Sequence, residues 1–323
     1  MKTIEQLKAF YDTVLVKDLY VLEEKRRRLV NTFLVTAGIV GILALGGLVI
    51  GAQAGGSALI VFIPPGLGIL IGGIVYGIQR KDYAGDFKSR IIRGLVGFLD
   101  PGLTYSEHGC IAESDYMASK IFTQRPDRYT GDDYVCGRIG ATSIEFSELH
   151  SEYKTTSTDS KGRTQTHWHT IFKGLFFIAD FNKHFNCEVV VLPDTAERFF
   201  GRFGQKLQAL NFFRGQLIKL EDPEFERFFV VYGSDQIQAR YILSTSLMQR
   251  ITRFAQKTGQ TVYLSFGGSR VHVAISYRKN LFEPRIFSTM LDFGPVREYY
   301  EDLQVAVGIV DDLNLNTRIW TKQ

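Results

Sequence analysis

The chain has 323 residues, 45% of them hydrophobic and 22% charged, with a formal net charge of +4, which is length for one sizeable soluble domain and something more. Residues 1–28 carry seven bases and five acids, residues 80–93 five bases and two acids, residues 29–79 no charge, and residues 94–323 one net negative charge. That distribution excludes a general nucleic-acid surface and makes an anionic phospholipid bilayer the better partner.

In chain order, Ile4, Leu7, Tyr11, Leu15, Leu19 and Leu22 recur at the helical period, and Thr3 with Gln6 forms a capping box. An amphipathic helix over 1–28 follows, whose stripe needs cover from the protein's own C-terminal domain, a second copy or the inner leaflet. The uncharged run holds two lengths that each suit a bilayer core of about 30 Å at about 1.5 Å per residue. These are Leu29 to Ile50 and Leu59 to Ile78, joined by the Gly-rich turn "GAQAGGSA" at 51–58. The reading is a transmembrane helical hairpin over 29–79, with its backbone polar groups satisfied internally.

Arg26, Arg27 and Arg28 precede the first span, Arg80 and Lys81 follow the second, and the turn holds no base. These five are the expected membrane-interface residues, and the positive-inside rule puts both termini in the cytoplasm. Ala52-Gln53-Ala54 resembles a signal-peptide cleavage site, but the charged leader and the apolar run are too long for one and a second span follows. Pro64-Pro65 predicts a kink or an N-terminal-turn position in the second span. Glycines four apart, Gly47 with Gly51, Gly68 with Gly72 and Gly73 with Gly77, point to close helix packing. Gly68, Gly72, Gly73 and Gly77 are the expected packing residues, within the hairpin or in self-association. Neither span holds an ionisable residue to line a pore.

A basic amphipathic connector over 80–100 leads to a soluble domain over 101–323, where strands alternate with single helices. "TSIEFSELHSEYK" and "THWHTIFKGLFFIADF" read as antiparallel strands joined by a mobile polar loop, "TTSTDSKGRTQ", with "CEVVVLPD" as a third strand. "TAERFFGRFGQKLQALN" reads as a helix and "GQLIKLE" and "RFFVVYG" as strands. Asp235 caps a long helix to about Lys257. "TVYLSFGGSRVHVAISY" reads as a hairpin with a Gly-Gly turn, and a last helix runs from near Gly294-Pro295 to about Leu313. The predicted class is α+β: an N-terminal amphipathic helix and a two-helix transmembrane hairpin, then a cytosolic domain of mixed antiparallel sheet and helix.

"IFKGLFFIADFNKHF", "EDPEFERFFVVYGSDQIQARYILSTSLMQRI" and "GIVDDLNLNTRIW" resemble the recurrent segments of an uncharacterised bacterial membrane-protein family, the domain of unknown function three-one-three-seven, over roughly residues 100–320. The resemblance implies a bacterial membrane protein and supplies no catalytic residue. It also associates the chain with LemA-type membrane proteins and hence with a membrane-bound assembly.

Few residues of the chain suggest chemistry. His167 and His169 share a strand face and His150 sits on the preceding strand, which suits two metal ligands without a third; a solvated strand end is the simpler reading. Three cysteines, Cys110, Cys136 and Cys187, make neither a disulfide framework nor a CxxC motif, which fits a reducing compartment. Cys136 and Cys187 read as small buried hydrophobes. Gly267-Gly268 is a turn rather than a phosphate loop, and "GRFGQK" has little phosphate-binding character. Asp222, Glu224 and Glu226 surround a proline turn. Arg240 flanks an apolar face, where Asp180 or Glu221 would pair with it.

The expected function is therefore a membrane-anchored cytosolic binding or scaffold protein of a bacterial inner membrane, with no catalytic residue, metal or cofactor assigned. Its partners would be the phospholipid bilayer and a membrane-associated protein or a second copy. The alternative is a membrane-tethered hydrolase or metal-dependent enzyme.

Overall fold

The structure, a computed structural model, describes residues 2–54, 58–159, 162–194 and 215–316. The chain forms two compact units, one of Lys2–Leu95 with Phe282–Tyr299, the other of Val96–Leu281 with Tyr300–Gln323.

In the first unit, the capping box forms as read: Gln6 N donates to Thr3 Oγ1 at 3.3 Å and Thr3 N to Gln6 Oε1 at 3.0 Å. Helix α1 (Ile4–Phe10), a π-helical turn (Tyr11–Leu15) and α2 (Val16–Ala54) follow one another, so the amphipathic stretch and the first apolar span make one rod. Leu7, Tyr11, Leu15, Leu19 and Leu22 are buried. Their cover comes from elsewhere in the chain. A β-carbon on Gly94 would stand 3.2 Å from Leu15, and the Tyr11 ring meets Phe293 edge-on at 5.4 Å.

Helix α3 (Ala58–Phe87) carries Pro64 and Pro65 inside it rather than starting at them, and a π-helical turn (Lys88–Ile92) leads to α4 (Arg93–Leu99). Charges tie the rods together: Lys25 bridges Asp82 at 2.8 Å and Asp86 at 2.6 Å, and Arg90 meets Asp18 at 3.0 Å. The Phe87 and Tyr299 rings meet edge-on at 5.3 Å.

The second unit is built on an antiparallel sheet with helices, the α+β class expected. Its strands are β1 (Leu103–Ser106), β2 (Arg128–Ile139), β3 (Thr142–Thr158), β4 (Thr164–Pro193), β5 (Gln216–Ile218), β6 (Phe229–Gly233) and β7 (Val262–Ser276). The order is β1-β2-β3-β4-β6-β5, with β7 also on β4. Strand β4 is the spine. It pairs with β3, with β6 and, from Gly174 to Val191, with β7; residues 174–179 and 189–193 are buried on both faces and read as apolar runs, while 164–170 is exposed.

Phe172, Phe176 and Ile178 pack with Leu149, Ala274 and Tyr116 of α5 (Glu113–Ala118), while Phe177 stacks on Phe146 across the β3 pairing. Gly174 has to be glycine: its φ is +148° and a β-carbon would lie 2.1 Å from the Ile275 carbonyl oxygen.

The sheet corrects several boundaries. The expected third strand, "CEVVVLPD", is the continuation of β4. The segment read as a Gly-Gly hairpin is the single strand β7; Gly267 and Gly268 lie where its register with β4 shifts, which is a bulge. The polar stretch read as a mobile loop is mostly ladder, paired to Thr158 and Thr164, and exposed.

The long helix after Asp235 is two, α7 (Gln236–Ile242) and α8 (Thr245–Thr258), because Leu243 leaves helical geometry and Ser244 caps the second. Asp235 caps the first, accepting from Ile237 N and Gln238 N. A short α6 (Pro223–Glu226) precedes β6, and α9 (Phe293–Asp312) closes near the expected limits. The helix expected over "TAERFFGRFGQKLQALN" lies outside the described residues.

Candidate functional site

Among the described residues, two helices are long and apolar enough to cross a membrane, Ile4–Ile50 and Val61–Leu99. Their apolar side chains face outward: Ile42 is 72% and Ile69 61% exposed. The helices meet at two of the four glycines named from the sequence. A β-carbon on Gly68 would lie 3.0 Å from Val40 Cγ2, and one on Gly72 would lie 2.0 Å from Thr36 Cγ2, whereas Gly73 and Gly77 face open space.

Below this apolar pair sits a charged collar. Arg27, Arg28, Arg80 and Lys81 are exposed there. Arg26 is turned inward: its guanidinium donates to both Glu23 oxygens, at 2.8 and 2.7 Å, and to the Ile286 carbonyl at 2.9 Å. Glu23 is buried and also accepts from Arg27 at 3.1 Å and from Thr289 at 3.2 Å. The Arg26 hydrogen bond, reinforced by Arg27 and Thr289, outweighs the effect of burial and holds the Glu23 carboxyl down to about 2. Asp82 and Asp86 raise the Lys25 ammonium above its ordinary value. Burial pushes the Tyr83 hydroxyl up to about 12. Sequence inspection saw the bases of this collar and missed its buried carboxylate, although the i, i+3 and i, i+4 spacing from Glu23 to Arg26 and Arg27 was visible.

The histidines do not converge on a metal-ligand group among the described residues. His169 stacks on Tyr153 with ring centroids 4.9 Å apart and meets Thr155 Oγ1 at 2.8 Å, while His150 lies 3.7 Å from Glu152. His167 pairs across the ladder with Thr155. Between the histidines, Trp168 lies under the Arg128 guanidinium, 3.9 Å from the ring centre.

Other residues singled out from the sequence have structural employment. Asp222 caps α6 by accepting from Glu224 N and Phe225 N, both at 3.1 Å, and Glu226 accepts from Leu220 N at 2.9 Å. Arg240 reaches Glu221 at 3.8 Å from an exposed position and donates to the Lys219 carbonyl at 3.3 Å. The cysteines are free; Cys187 is buried, and Cys136 is half-buried in an open groove of about 780 Å³.

That groove crosses β2, β3, β4 and β7 and carries both signs of charge, with Arg138, Glu145, Asp180 and Arg270 among its lining. Tyr134 donates to Glu145 at 2.7 Å and Arg270 reaches Asp115 at 3.0 Å.

The cluster that sequence reading missed is Asp132, Asp133 and Glu148, whose carboxylate oxygens lie within 4.8 Å of one another. Three oxygen donors are of the type that hard divalent cations take. Hydrogen bonds already engage the cluster: the Tyr105 hydroxyl donates to Asp133 and the Leu281 amide to Glu148 at 2.9 Å. Burial and the neighbouring Asp133 charge raise the Tyr105 hydroxyl well above its usual range. The only sequence signal was the Asp-Asp pair inside a strand; a bulge at this point gives Asp133 a φ of +56° and turns it inward.

Residues 170–315 match the family model described as "Protein of unknown function (DUF3137)". The resemblance drawn from the sequence is thus shown for that segment, which is shorter than the 100–320 expected. It takes in most of β4, the β6 and β7 partners and α9. No curated protein matches the chain. Among solved structures, the mycobacterial trehalose monomycolate transport factor A, TtfA, is similar over 67% of this chain and 94% of its own, at 11% identity and a TM-score of 0.32. A likeness at that score carries no argument about fold or function.

Proposed function

We propose that this protein is a membrane-anchored binding or scaffold protein of a bacterial cytoplasmic membrane. In this reading α2 and α3 span the bilayer as a hairpin, both termini are cytoplasmic, and the sheet unit is a docking platform for a membrane-associated protein or a second copy. The observation that carries it is the outward-facing apolar surface of the two helices, far larger than the patches a soluble monomer tolerates. Exposed Arg27, Arg28, Arg80 and Lys81 at the same end support the orientation. The binding role is supported by the open groove of about 780 Å³ across β2, β3, β4 and β7, whose lining of both charge signs offers a surface to a partner.

Accessibility labelling tests it. In a background with the three native cysteines replaced, Ser57→Cys, between the spans, is expected to react with a membrane-impermeant maleimide in cells whose outer barrier is open and inner membrane sealed. Ser157→Cys, exposed on β3, is expected to react only after the inner membrane is breached. Labelling of Ser157→Cys in sealed cells would place the sheet unit on the outside and end the cytosolic reading. Co-purification from mild detergent tests the binding role, with a stoichiometric protein partner or second copy expected and a monomer with nothing bound counting against it.

A further inference from the structure

The segment after β7 adds a feature that neither the spans nor the sheet explains. Residues 282–292, "FEPRIFSTMLD", are irregular and belong to the same compact unit as the bases of the two long helices. They are pinned from end to end. Lys88 Nζ lies 3.0 Å from Glu283 Oε1, the Tyr83 hydroxyl donates to the Arg285 carbonyl at 3.2 Å, and Arg26 donates to the Ile286 carbonyl at 2.9 Å. Thr289 donates to Glu23 at 3.2 Å, the Tyr11 hydroxyl donates to the Leu291 carbonyl, and Phe282 and Met290 are buried.

Between these anchors one large apolar side chain points away from the protein. Phe287 is 71% exposed. Its ring meets Phe33 edge-on at 5.9 Å, and Phe33 lies 5.8 Å from Tyr76. Phe33 is five residues past Arg28 and Tyr76 four residues before Arg80, so all three rings stand at the level where the charged collar gives way to uncharged helix. Phe33 itself is 44% exposed, which makes Phe287 an extension of the helices' outward apolar surface. Aromatic rings at that level, beside exposed arginines, suit the interfacial layer of an anionic leaflet.

We propose that Phe287 inserts into the lipid interface, so that the 282–292 loop is a third membrane contact beside the two spans. The proposal rests on the spanning reading of the hairpin. It assigns a lipid-facing role to a part of the sequence more than two hundred residues from the spans, in a segment whose own composition gives no membrane signal. The hydrogen bonds to Arg26, Tyr83 and Glu23 make the loop a wedge held against the helices, so the ring's position is set by the collar.

Depth-dependent quenching tests it on the full chain. The two tryptophans, Trp168 and Trp320, are replaced with Phe, and Phe287→Trp is introduced as the single reporter in vesicles of phosphatidylcholine and phosphatidylglycerol. Leu70→Trp, an exposed position within the second span, is the companion. The reporter at 287 is expected to be quenched more by lipids brominated near the headgroup end of the acyl chain than by lipids brominated near its tail, with the reverse order at 70. Quenching at 70 with none at 287 overturns the proposal and leaves the hairpin in place. Absence of quenching at both overturns the spanning reading and the wedge with it. A Phe287→Cys variant in a cysteine-free background that cross-links between copies, with no quenching at 287, assigns the ring to a second copy and also overturns it.

Discussion

Gly72 lies directly against Thr36, so close that a β-carbon on the glycine would fall 2.0 Å from Thr36 Cγ2, while its neighbour Gly73 faces open space. Small residues at such a crossing let two helices approach without a hydrophobic driving force in lipid. Gly72→Leu is therefore expected to force α2 and α3 apart and to cost about 1–3 kcal/mol, seen as a lower melting temperature in detergent. Gly73→Leu should leave hairpin stability unchanged. Equal behaviour of the two variants would show that the crossing does not lie where Gly72 and Thr36 put it.

The collar sets an acid limit. Glu23, held down to about 2 by Arg26 and Arg27, stays ionised in the folded protein below the pH at which an ordinary carboxylate takes a proton. A folded-state value below the unfolded one contributes stability that is complete above about 4.5 and is lost as pH falls through about 2. The effect is on the order of 3 kcal/mol at neutral pH. Glu23→Gln should lower stability at neutral pH and flatten the decline between those limits. An unchanged acid-unfolding curve in the variant would remove Glu23 from the account.

A second buried group acts at higher pH. His272 is packed near Phe176, bonded to Ser265 at 3.2 Å, and lowered to about 4 by burial, with Arg270 adding to the shift and Asp115 opposing it. The unfolded chain then takes up the histidine proton near its ordinary 6.5 while the folded sheet does not. Stability is full above 6.5 and declines as pH falls toward 4, the opposite proton preference from an exposed histidine paired with an acid. His272→Asn, measured by thermal melts between those pH values, is expected to lose most of this slope. Retention of the full slope would mean that another group titrates there.

Much of the architecture is present in local pattern. The uncharged run between Arg28 and Arg80, the Thr3 and Gln6 capping box, the Asp235 cap, the β6 strand and the final helix are all readable because each depends on composition or on a period within a few residues. These features also indicate a pair of apolar helices and an α+β unit. The chemistry of the collar was half-readable: its bases stand out in a charge count, but Glu23 is an ordinary surface acid until Arg26 and Thr289 close over it.

Tertiary structure decided where contacts join distant segments. A period of two looks the same in a hairpin and in one long strand, so only the β4 pairing shows that β7 runs through Gly267-Gly268 and that "CEVVVLPD" continues β4. Glycines four apart identify a helix face, yet only the crossing at Thr36 and Val40 separates Gly72 and Gly68 from Gly73 and Gly77. The Asp132, Asp133 and Glu148 cluster needs the bulge in β2 to exist at all. Phe287 was invisible for the same reason: a phenylalanine in an irregular segment carries no periodic signal, and hydrogen bonds from Arg26 and Tyr83, more than two hundred residues away in sequence, set its place beside Phe33.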